Sequence, residues 1–372
     1  MSDHVKLSEV CEILNSNVDK KTKENEQKVK LCNFIDVYNN WAITKYTSKK
    51  FMTATATQNE INKFSLKKGY VAITKDSETK DDIGISTYIA DNFDNVLLGY
   101  HCTLLKPNQK VLNGKFLNAY LSSFYGRKYF SNCASGSGQR YTLTIDIIKD
   151  LTIPLINIET QQKIARTLSI LDQKIENNHK INELLHTLAY KIYEYYFKYK
   201  PKNAKLEQII IENPKSSIMV KNAQKTQDKY PFFTSGDNIL SYPKAIIDGR
   251  NCFLNTGGNA GIKFYVGKAS YSTDTWCICA NEFSDYLYLL LSSIKTHINQ
   301  SFFQGTSLKH LQKNLLKKYP IYMPSAHEIK KFNQIMMPLL TLISINTRTS
   351  KKLEQIRDFL LPLLLKQQVK PQ

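Results

Sequence analysis

The sequence predicts an α+β protein in which two globular domains alternate with two long helices, and the helices pair as an antiparallel coiled coil. Two stretches 168 residues apart, starting at Pro154 and Tyr322, repeat the same order of apolar positions. Their apolar residues recur at steps of three and four, the spacing of a helix that packs one stripe against a partner helix. The segments around them read as short strands and turns, with alternating Tyr, Phe, Val and Ile bounded by Gly, Asn, Asp and Ser.

The chain is an internal duplication. The first domain, residues 1–152, opens with "VKLSEVCEI" and ends with the short helix "FLNAYLSS" and the glycine loop "ASGSGQRYTL". The second domain, residues 201–324, repeats this order with "AKLEQIIIE", "YLYLLLSS" and "FQGTSLKHL", although its opening lies 199 rather than 168 residues later. The long helices occupy residues 153–200 and 325–372. A repeat of this length predicts two copies of one supersecondary unit.

Each long helix needs a partner. A helix of about 38 residues, Thr160 to Phe197, would be about 57 Å long, and such helices are stable in water only when an amphipathic face is packed. The stripe of the first helix consists of Ile164, Leu168, Leu171, Ile175, Asn178, Leu185 and Ile192, and the same offset gives Phe332, Met336, Leu339, Ile343, Asn346, Leu353 and Leu360 in the second. The simplest partner of each copy is the other copy. Two unrelated amphipathic helices on separate domains are the alternative.

Two polar features of these helices lead to further expectations. Asn178 and Asn346 lie near the midpoints of the two copies, so in an antiparallel pair we expect their amides to meet, unless both face water. A polar pair in a seam costs stability but selects one register. Pro338 lies inside the second helical run and should kink or locally break it, because proline lacks the backbone donor.

Composition favours a polyanionic partner. The chain has 51 Lys plus Arg against 32 Asp plus Glu, a formal net charge of +19, which is typical of proteins that bind nucleic acid, although solvated surface Lys gives the same count. The start of the chain lacks a signal layout and "FLLPLLL" is too short to span a bilayer, so we expect a cytoplasmic protein without a membrane partner. Seven Cys without a C-x-x-C pair predict neither a disulfide framework nor a metal site.

Several motifs carry a family resemblance. They are "LCNFIDVYNN", "LKKGYVAITKDSETKDDIGIS", "GSGQRYTLTIDIIKDLTIP" and "IPLINIETQQKIARTL". Together with the domain order, they resemble the specificity (S) subunit of type I restriction-modification systems along essentially the whole chain. The second half is looser, since "MPSAHEIKKF" keeps Glu328 but has Ile329 where the family usually has Gln.

The resemblance implies a DNA reader that is not itself an enzyme. Each globular part would be a target recognition domain that binds one half of a bipartite site in double-stranded DNA through the major groove. The helices would act as a spacer and would dock two modification (M) subunits. Those subunits bind S-adenosylmethionine and methylate a flipped adenine, and restriction (R) subunits would join the assembly. The chain itself would carry no cofactor and no catalytic residue.

The residues support the absence of a catalytic motif. An adenine methyltransferase needs an N/D-P-P-F/Y loop, and "ENPKSS" lacks the second proline and the aromatic residue. The stretch "GGNAGIKF" has the wrong spacing for a phosphate-binding loop, and we interpret it as a turn that allows close approach to a backbone, such as that of DNA. Two alternatives stay open. One is a stand-alone sequence-specific methyltransferase or nuclease with an unseen site, and the other is a coiled-coil adaptor that binds only protein.

DNA contacts are expected from loop residues, with cations on phosphates and polar side chains on base edges. The candidates in the first domain are Lys45, Tyr46, Lys49, Lys50, Lys75, Ser77, Thr79, Lys80, Gln139, Arg140 and Tyr141. Those in the second domain are Thr234, Ser235, Asn259, Lys263, Lys309 and His310. For each of them an ordinary solvated loop residue is the alternative.

Overall fold

Two units make up the chain. The computed structural model describes residues 3–136, 139–223, 229–236, 239–306 and 308–368. The first unit combines Met1–Gln173 with Ile356–Gln372, and the second is Lys174–Gln355. Each unit thus contains one globular part and portions of both long helices. The four segments predicted above divide the chain at the ends of the helices instead, and that division stays a prediction.

The first unit is built around a mixed five-stranded sheet. Its strands are β1 (Asp3–Lys6), β2 (Cys11–Asn15), β3 (Gln27–Cys32), β4 (Ala42–Ile43), β5 (Met52–Ala56), β6 (Val71–Thr74), β7 (Asp76–Ser77), β8 (Ser86–Ile89), β9 (Val96–Leu98), β10 (Cys102–Pro107), β11 (Ser135–Gly136), β12 (Tyr141–Thr142) and β13 (Thr152–Leu155). Its helices are α1 (Leu7–Val10), α2 (Phe34–Asn39), α3 (Gln58–Phe64), α4 (Gly114–Ser122), α5 (Phe124–Cys133), α6 (Ile145–Lys149) and the start of α7 (Ile158–Tyr193).

The central sheet has the order β2-β10-β6-β8-β4. Strands β6 and β8 are buried along their whole length, because α2 and α4 pack on them. The unit also has two three-stranded sheets and one strand pair, in the orders β1-β13, β11-β12-β7 and β5-β3-β9. The second of these joins two loops that are distant in the sequence, which makes it important for the candidate site.

The second unit repeats the mixture of sheet and helix on a smaller scale. Its strands are β14 (Ala204–Lys205), β15 (Ile211–Glu212), β16 (Tyr230–Phe233), β17 (Leu240–Tyr242), β18 (Arg250–Asn255), β19 (Ile262–Val266), β20 (Ser270–Tyr271), β21 (Thr275–Cys279), β22 (Phe303–Gln304), β23 (His310–Leu311) and β24 (Pro320–Ile321). Its helices are α8 (Ser284–Ser293), α9 (Lys295–Ser301), α10 (Lys313–Lys317) and part of α11 (Ala326–Leu365). The main sheet has the order β15-β21-β18-β19. Helix α8 packs on β18 and β19 and is buried on nearly every side, which suits its all-round apolar sequence.

The same strand pair closes both globular parts. Val5 of β1 lies opposite Ile153 of β13, and Ala204 of β14 lies opposite Ile321 of β24. These pairs are related by the two offsets read from the sequence, 199 residues for the first strand and 168 for the second. Helix α10 follows α6, and α11 follows α7, at the same offset of 168. The structure therefore confirms the internal duplication.

The long helices run antiparallel in each unit, as predicted. In the first unit Arg357 contacts Asp172, and in the second Phe332 packs on Phe197 near the opposite ends of the helices. The predicted stripe residues are buried or partly buried, and none is exposed. Leu340, Leu361 and Ala189 of these helices are also buried but were not among the predicted residues.

The amide contacts in the seam differ from the predicted pair. Asn178 donates to Ser350 Oγ at 3.2 Å, and Asn346 donates to Asn182 Oδ1 at 2.9 Å. The prediction that Asn178 contacts Asn346 was wrong. The observed partner of each amide lies four residues, about one helical turn, beyond the predicted one. An antiparallel shift of four residues keeps an apolar stripe in register, so the stripe alone does not distinguish the two arrangements.

Pro338 does not end the second helix, which continues without interruption from Ala326 to Leu365. The expectation of a break was wrong. Proline removes one backbone donor, and the apolar residues on either side of it, Met336 and Leu340, are both buried against the rest of the second unit. Tertiary packing of this face maintains the helix across the missing hydrogen bond.

In the first unit, a buried glutamine fixes α7 to the globular part. Gln161 is fully buried, and its Oε1 accepts the Asn113 N–H at 2.8 Å. Its Nε2 donates to the carbonyl oxygens of Val111 and Ile156 at 2.9 and 2.8 Å. The equivalent residue of α11, Ile329, is buried in an apolar core instead. The two halves thus use different chemistry at the same junction.

In the second unit, a buried ion pair fixes the globular part to α11. Arg250 of β18 binds both oxygens of Asp285 in α8, at 2.5 and 2.7 Å. The same guanidinium donates to Thr341 Oγ1 at 2.9 Å and to the Met337 carbonyl oxygen at 3.2 Å, both in α11. Asp285 is fully buried, and this burial raises its pKa although Arg250 opposes the shift.

Candidate DNA interface

In the first unit, two of the predicted loops come together. Strand β12 pairs with β7, so that Tyr141 lies opposite Ser77 and Thr142 lies opposite Asp76. The next backbone contact, from Leu143 N to Lys75 O at 2.8 Å, extends this pairing. Candidates from two separate stretches, residues 75–80 and 139–141, therefore share one surface.

A cluster of three side chains lies at this junction. His101 Nδ1 is 2.8 Å from Asp76 Oδ2, and Arg140 Nη2 is 3.0 Å from the same nitrogen and 3.5 Å from the same carboxylate oxygen. A protonated Nδ1 donates to Asp76, whereas an unprotonated Nδ1 accepts from Arg140. In either form, the Nη2 end of Arg140 has an acceptor.

The cluster becomes more exposed towards Arg140. The exposed fraction of the side chain is 13% for Asp76, 32% for His101 and 56% for Arg140. Among the residues that the structure describes, Nε and Nη1 of Arg140 have no hydrogen-bond partner. A mostly buried carboxylate thus lies beside one end of a guanidinium on a side chain that is itself more than half exposed.

A groove of about 670 Å³ surrounds this cluster. Phe34 and Tyr38 stack on one side of it, with ring centroids 5.7 Å apart. Asp82 accepts from Tyr38 Oη at 3.1 Å and from Thr79 Oγ1 at 3.2 Å. The Asp82 carboxylate thus accepts hydrogen bonds from both Tyr38 and Thr79 at this turn.

The predicted lysines of this surface lie over aromatic rings. Lys75 Nζ is 4.5 Å from the centroid of Tyr100, and Lys80 Nζ is 5.5 Å from that of Tyr141. Such contacts hold a cation near the surface without neutralising its charge. Both ammonium groups remain suited to a phosphate.

The cluster Lys45, Tyr46, Lys49 and Lys50 lies elsewhere in the first unit. Its backbone forms a short 3₁₀ turn, and the Lys45 N–H donates to Asp91 at 2.8 Å. The three lysines are exposed, and none of the four residues lines the groove. The structure does not bring this cluster together with the Arg140 surface.

In the second unit, the candidates lie on loops joined by backbone contacts. Gly258, at a φ of 77° that favours glycine, donates its N–H to the Lys309 carbonyl oxygen at 2.9 Å. Asn259, Lys309 and His310 are exposed beside this contact. The glycine turn thus approaches a backbone closely, as interpreted from the sequence, but the backbone belongs to the chain itself.

Three candidates of the second unit have roles inside the fold. Thr234 is buried, and its Oγ1 accepts the Gly236 N–H at 3.0 Å, which contradicts its expected presentation on the surface. Lys263 donates to the carbonyl oxygens of Thr234 and Gly236 at 2.7 and 2.6 Å, so it stabilises this loop. Ser235 donates to the Asp274 carbonyl oxygen. These polar residues were predicted as DNA contacts because they lie in loops. A position in a loop does not show whether the side chain points to solvent or into the fold.

Sequence reasoning missed Asp76, His101, Phe34 and Tyr38. His101 lies between β9 and β10 in "LLGYHCTLL", where a polar residue between two apolar runs was the available signal. The contact with Arg140 depends on strand pairing across many residues and has no local pattern. No group of His, Cys, Asp and Glu in the described part of the chain could hold a metal ion. Within the same part of the chain, every helix is too short or too polar to cross a membrane.

Known proteins share this architecture and these motifs. The family model described as the type I restriction modification DNA specificity domain matches residues 2–187 and 202–355, one match for each half. The chain belongs to this family. The specificity domain family thus accounts for both copies of the duplication.

Two curated members of the family are similar to the chain. The type I restriction enzyme HindI specificity subunit of Haemophilus influenzae is 30% identical over 149 residues, which cover 40% of the chain and 32% of that protein. The type I restriction enzyme MjaIX specificity subunit of Methanocaldococcus jannaschii is 24% identical over 341 residues, which cover 80% of the chain and 74% of that protein. The chain therefore matches about a third of the first protein's length and three quarters of the second's.

A solved structure supports the fold. The crystal structure of a type I restriction-modification system S subunit from M. genitalium matches with a TM-score of 0.57 and 15% sequence identity. The match covers 98% of this chain and 96% of the chain in that crystal structure. At this identity the likeness concerns the fold.

Proposed function

We propose that the chain is the DNA-recognition subunit of a type I restriction-modification complex and reads a bipartite target with one domain per half-site. The observation that carries this proposal is the duplication of a complete unit. The pair of Val5 with Ile153 and the pair of Ala204 with Ile321 close two equivalent domains, and each is followed by one helix of the antiparallel pair. Two equivalent readers suit a target made of two half-sites.

The paired helices act as the spacer between the two readers. The hydrogen bonds at Asn178 and Asn346 select one register of the helices. A fixed register gives a fixed number of unread base pairs between the half-sites. The buried contacts of Gln161 and Arg250 hold each domain on its own portion of the helices.

The modification subunits supply the chemistry in this proposal. They bind S-adenosylmethionine and methylate the target, and restriction subunits join the assembly, so that the chain itself serves as a noncatalytic subunit. Apolar side chains that remain exposed on both helices support two docking positions. They are Ile170, Ile181, Leu184 and Leu188 on α7, and Ile335, Met337, Leu342, Ile345, Ile356 and Phe359 on α11.

Salt-dependent binding by the assembled complex tests the proposal. Affinity for duplex DNA should fall by about 10³–10⁵ between 50 and 200 mM salt if six to ten phosphates are contacted. The chain alone with DNA and either S-adenosylmethionine or Mg²⁺ should give no product. Turnover without a partner subunit would indicate an enzyme, and binding of protein but not DNA would indicate an adaptor.

A further inference from the structure

We propose that Arg140 reads a guanine in the half-site of the first unit, and that Asp76 and His101 position its guanidinium. This inference rests on the proposed function and adds the base and the residues that select it. Arginine recognises guanine by donating two parallel hydrogen bonds to O6 and N7 in the major groove. Such a contact needs a guanidinium that is held in place but keeps two adjacent N–H groups of one edge available.

The three side chains meet both needs. Arg140 Nη2 is fixed by His101 Nδ1 at 3.0 Å and by Asp76 Oδ2 at 3.5 Å. The second N–H of Nη2 shares an edge of the guanidinium with either Nε or Nη1, and neither of these nitrogens has a partner among the described residues. The side chain is 56% exposed. An arginine already held by a carboxylate loses less conformational entropy on binding than a mobile one.

The two positioning residues are themselves fixed by backbone contacts. Asp76 lies in β7 opposite Thr142, and the residue before it, Lys75, donates its N–H to the His101 carbonyl oxygen at 3.1 Å. Arg140 directly precedes β12. Three chain segments thus fix the cluster from different sides, which is the support that a base-reading side chain requires.

Selection from a randomised duplex library tests this assignment. The full chain, assembled with its modification subunits, is compared with Arg140→Ala, Arg140→Met, Asp76→Asn and Asp76→Glu, and the bound DNA is sequenced. Lys63→Ala serves as a matched control, because Lys63 in α3 is an exposed cation that lies outside the groove and is not a candidate DNA contact.

The wild-type complex should require guanine at one position of one half-site. Both Arg140 variants should lose that preference by about 5- to 150-fold at that position only, with unchanged melting temperature. Asp76→Asn should lose part of it and Asp76→Glu should recover some of the loss, which a purely structural role would not give. Lys63→Ala should leave every base preference intact.

Three outcomes would overturn the assignment of guanine to Arg140. They are a half-site without guanine, an unchanged preference in either Arg140 variant, and an equal loss of affinity for all sequences. The last result would assign Arg140 to a phosphate, with a salt slope reduced by about one. If the wild-type complex selected no sequence at all, the proposed function would fail instead.

Discussion

The side-chain amide of Asn346 donates a hydrogen bond of 2.9 Å to the side-chain oxygen of Asn182. The offset of 168 residues converts this pair into Asn178 and Ser350, which are also hydrogen bonded, at 3.2 Å. Both contacts join α7 to α11. The seam therefore has an internal twofold symmetry in its polar contacts as well as in its apolar ones, although one amide has been replaced by a hydroxyl.

Replacing Asn182 and Asn346 together by Leu should stabilise the helix pair. Two half-buried amides become apolar side chains, so the free energy of unfolding should rise by about 1–2 kcal/mol. The single variant Asn182→Leu leaves the Asn346 amide unpaired and should lower it by about 1 kcal/mol. Denaturant unfolding of the three proteins checks this. A double variant less stable than the single one would contradict the pairing.

Gln161→Leu should destabilise the first unit. The change leaves the Asn113 N–H and the carbonyl oxygens of Val111 and Ile156 without a partner, which costs about 1–3 kcal/mol for each group that stays buried. The exposed neighbour Gln162 is the matched control, and Gln162→Leu should change stability by less than about 0.5 kcal/mol. Thermal unfolding checks both, and equal effects would show that Gln161 is not an anchor.

Arg250→Met should destabilise the second unit strongly. It leaves the buried Asp285 carboxylate without its cation, and removal of one member of a buried ion pair costs about 3–5 kcal/mol. The double variant Arg250→Met with Asp285→Leu removes both charges and should recover much of this loss. The melting temperatures of the two variants decide the point. No recovery in the double variant would mean that the contacts of Arg250 with Thr341 and Met337 dominate.

Asp172 should make stability depend on pH. Burial raises its pKa to about 6, above the value of about 3.9 in an unfolded chain, although Arg357 and Lys115 oppose the shift. The folded state therefore favours the protonated carboxyl. The stabilisation of the folded state by this group is complete below about pH 4 and is lost as pH rises through 6. Relative to Asp172→Asn, the wild-type protein should lose up to about 3 kcal/mol of unfolding free energy between pH 4 and 7.

The matched control for that measurement is Asp358→Asn, because the Asp358 carboxylate also contacts Arg357 but is more exposed. Denaturant unfolding at several pH values compares the three proteins. If the difference between wild type and Asp172→Asn does not change with pH, the assignment to the buried carboxyl is wrong. An equal change in both variants would assign the effect to Arg357.

Much of the fold could be predicted because it depends on repeated local patterns. The offsets of 199 and 168 residues predicted which segments correspond, and the pairs of Val5 with Ile153 and of Ala204 with Ile321 follow these offsets. Apolar spacing predicted two long helices. It did not give the amide partners, because a shift of one helical turn leaves the stripe unchanged.

The candidate site was less accessible from the sequence. The stretches at residues 75–80 and 139–141 were chosen for cationic and polar residues in loops, and the pairing of β7 with β12 brings them together. Asp76 and His101 were missed, because their contact with Arg140 depends on long-range strand pairing. Thr234 was chosen for its residue type, yet it is buried. Side-chain direction in an irregular loop depends on tertiary contacts, for which a single sequence has no periodic signal.

The exchange of one recognition domain tests the central claim most directly. Residues 201–324 are replaced by the equivalent domain of a family member with a different target, and the methylated sites of cells carrying the chimeric complex are mapped by sequencing. If each domain reads its own half-site, one half of the methylated sequence should change while the other half and the spacer length stay as in the wild type. A change in both halves, or in neither, would contradict the account.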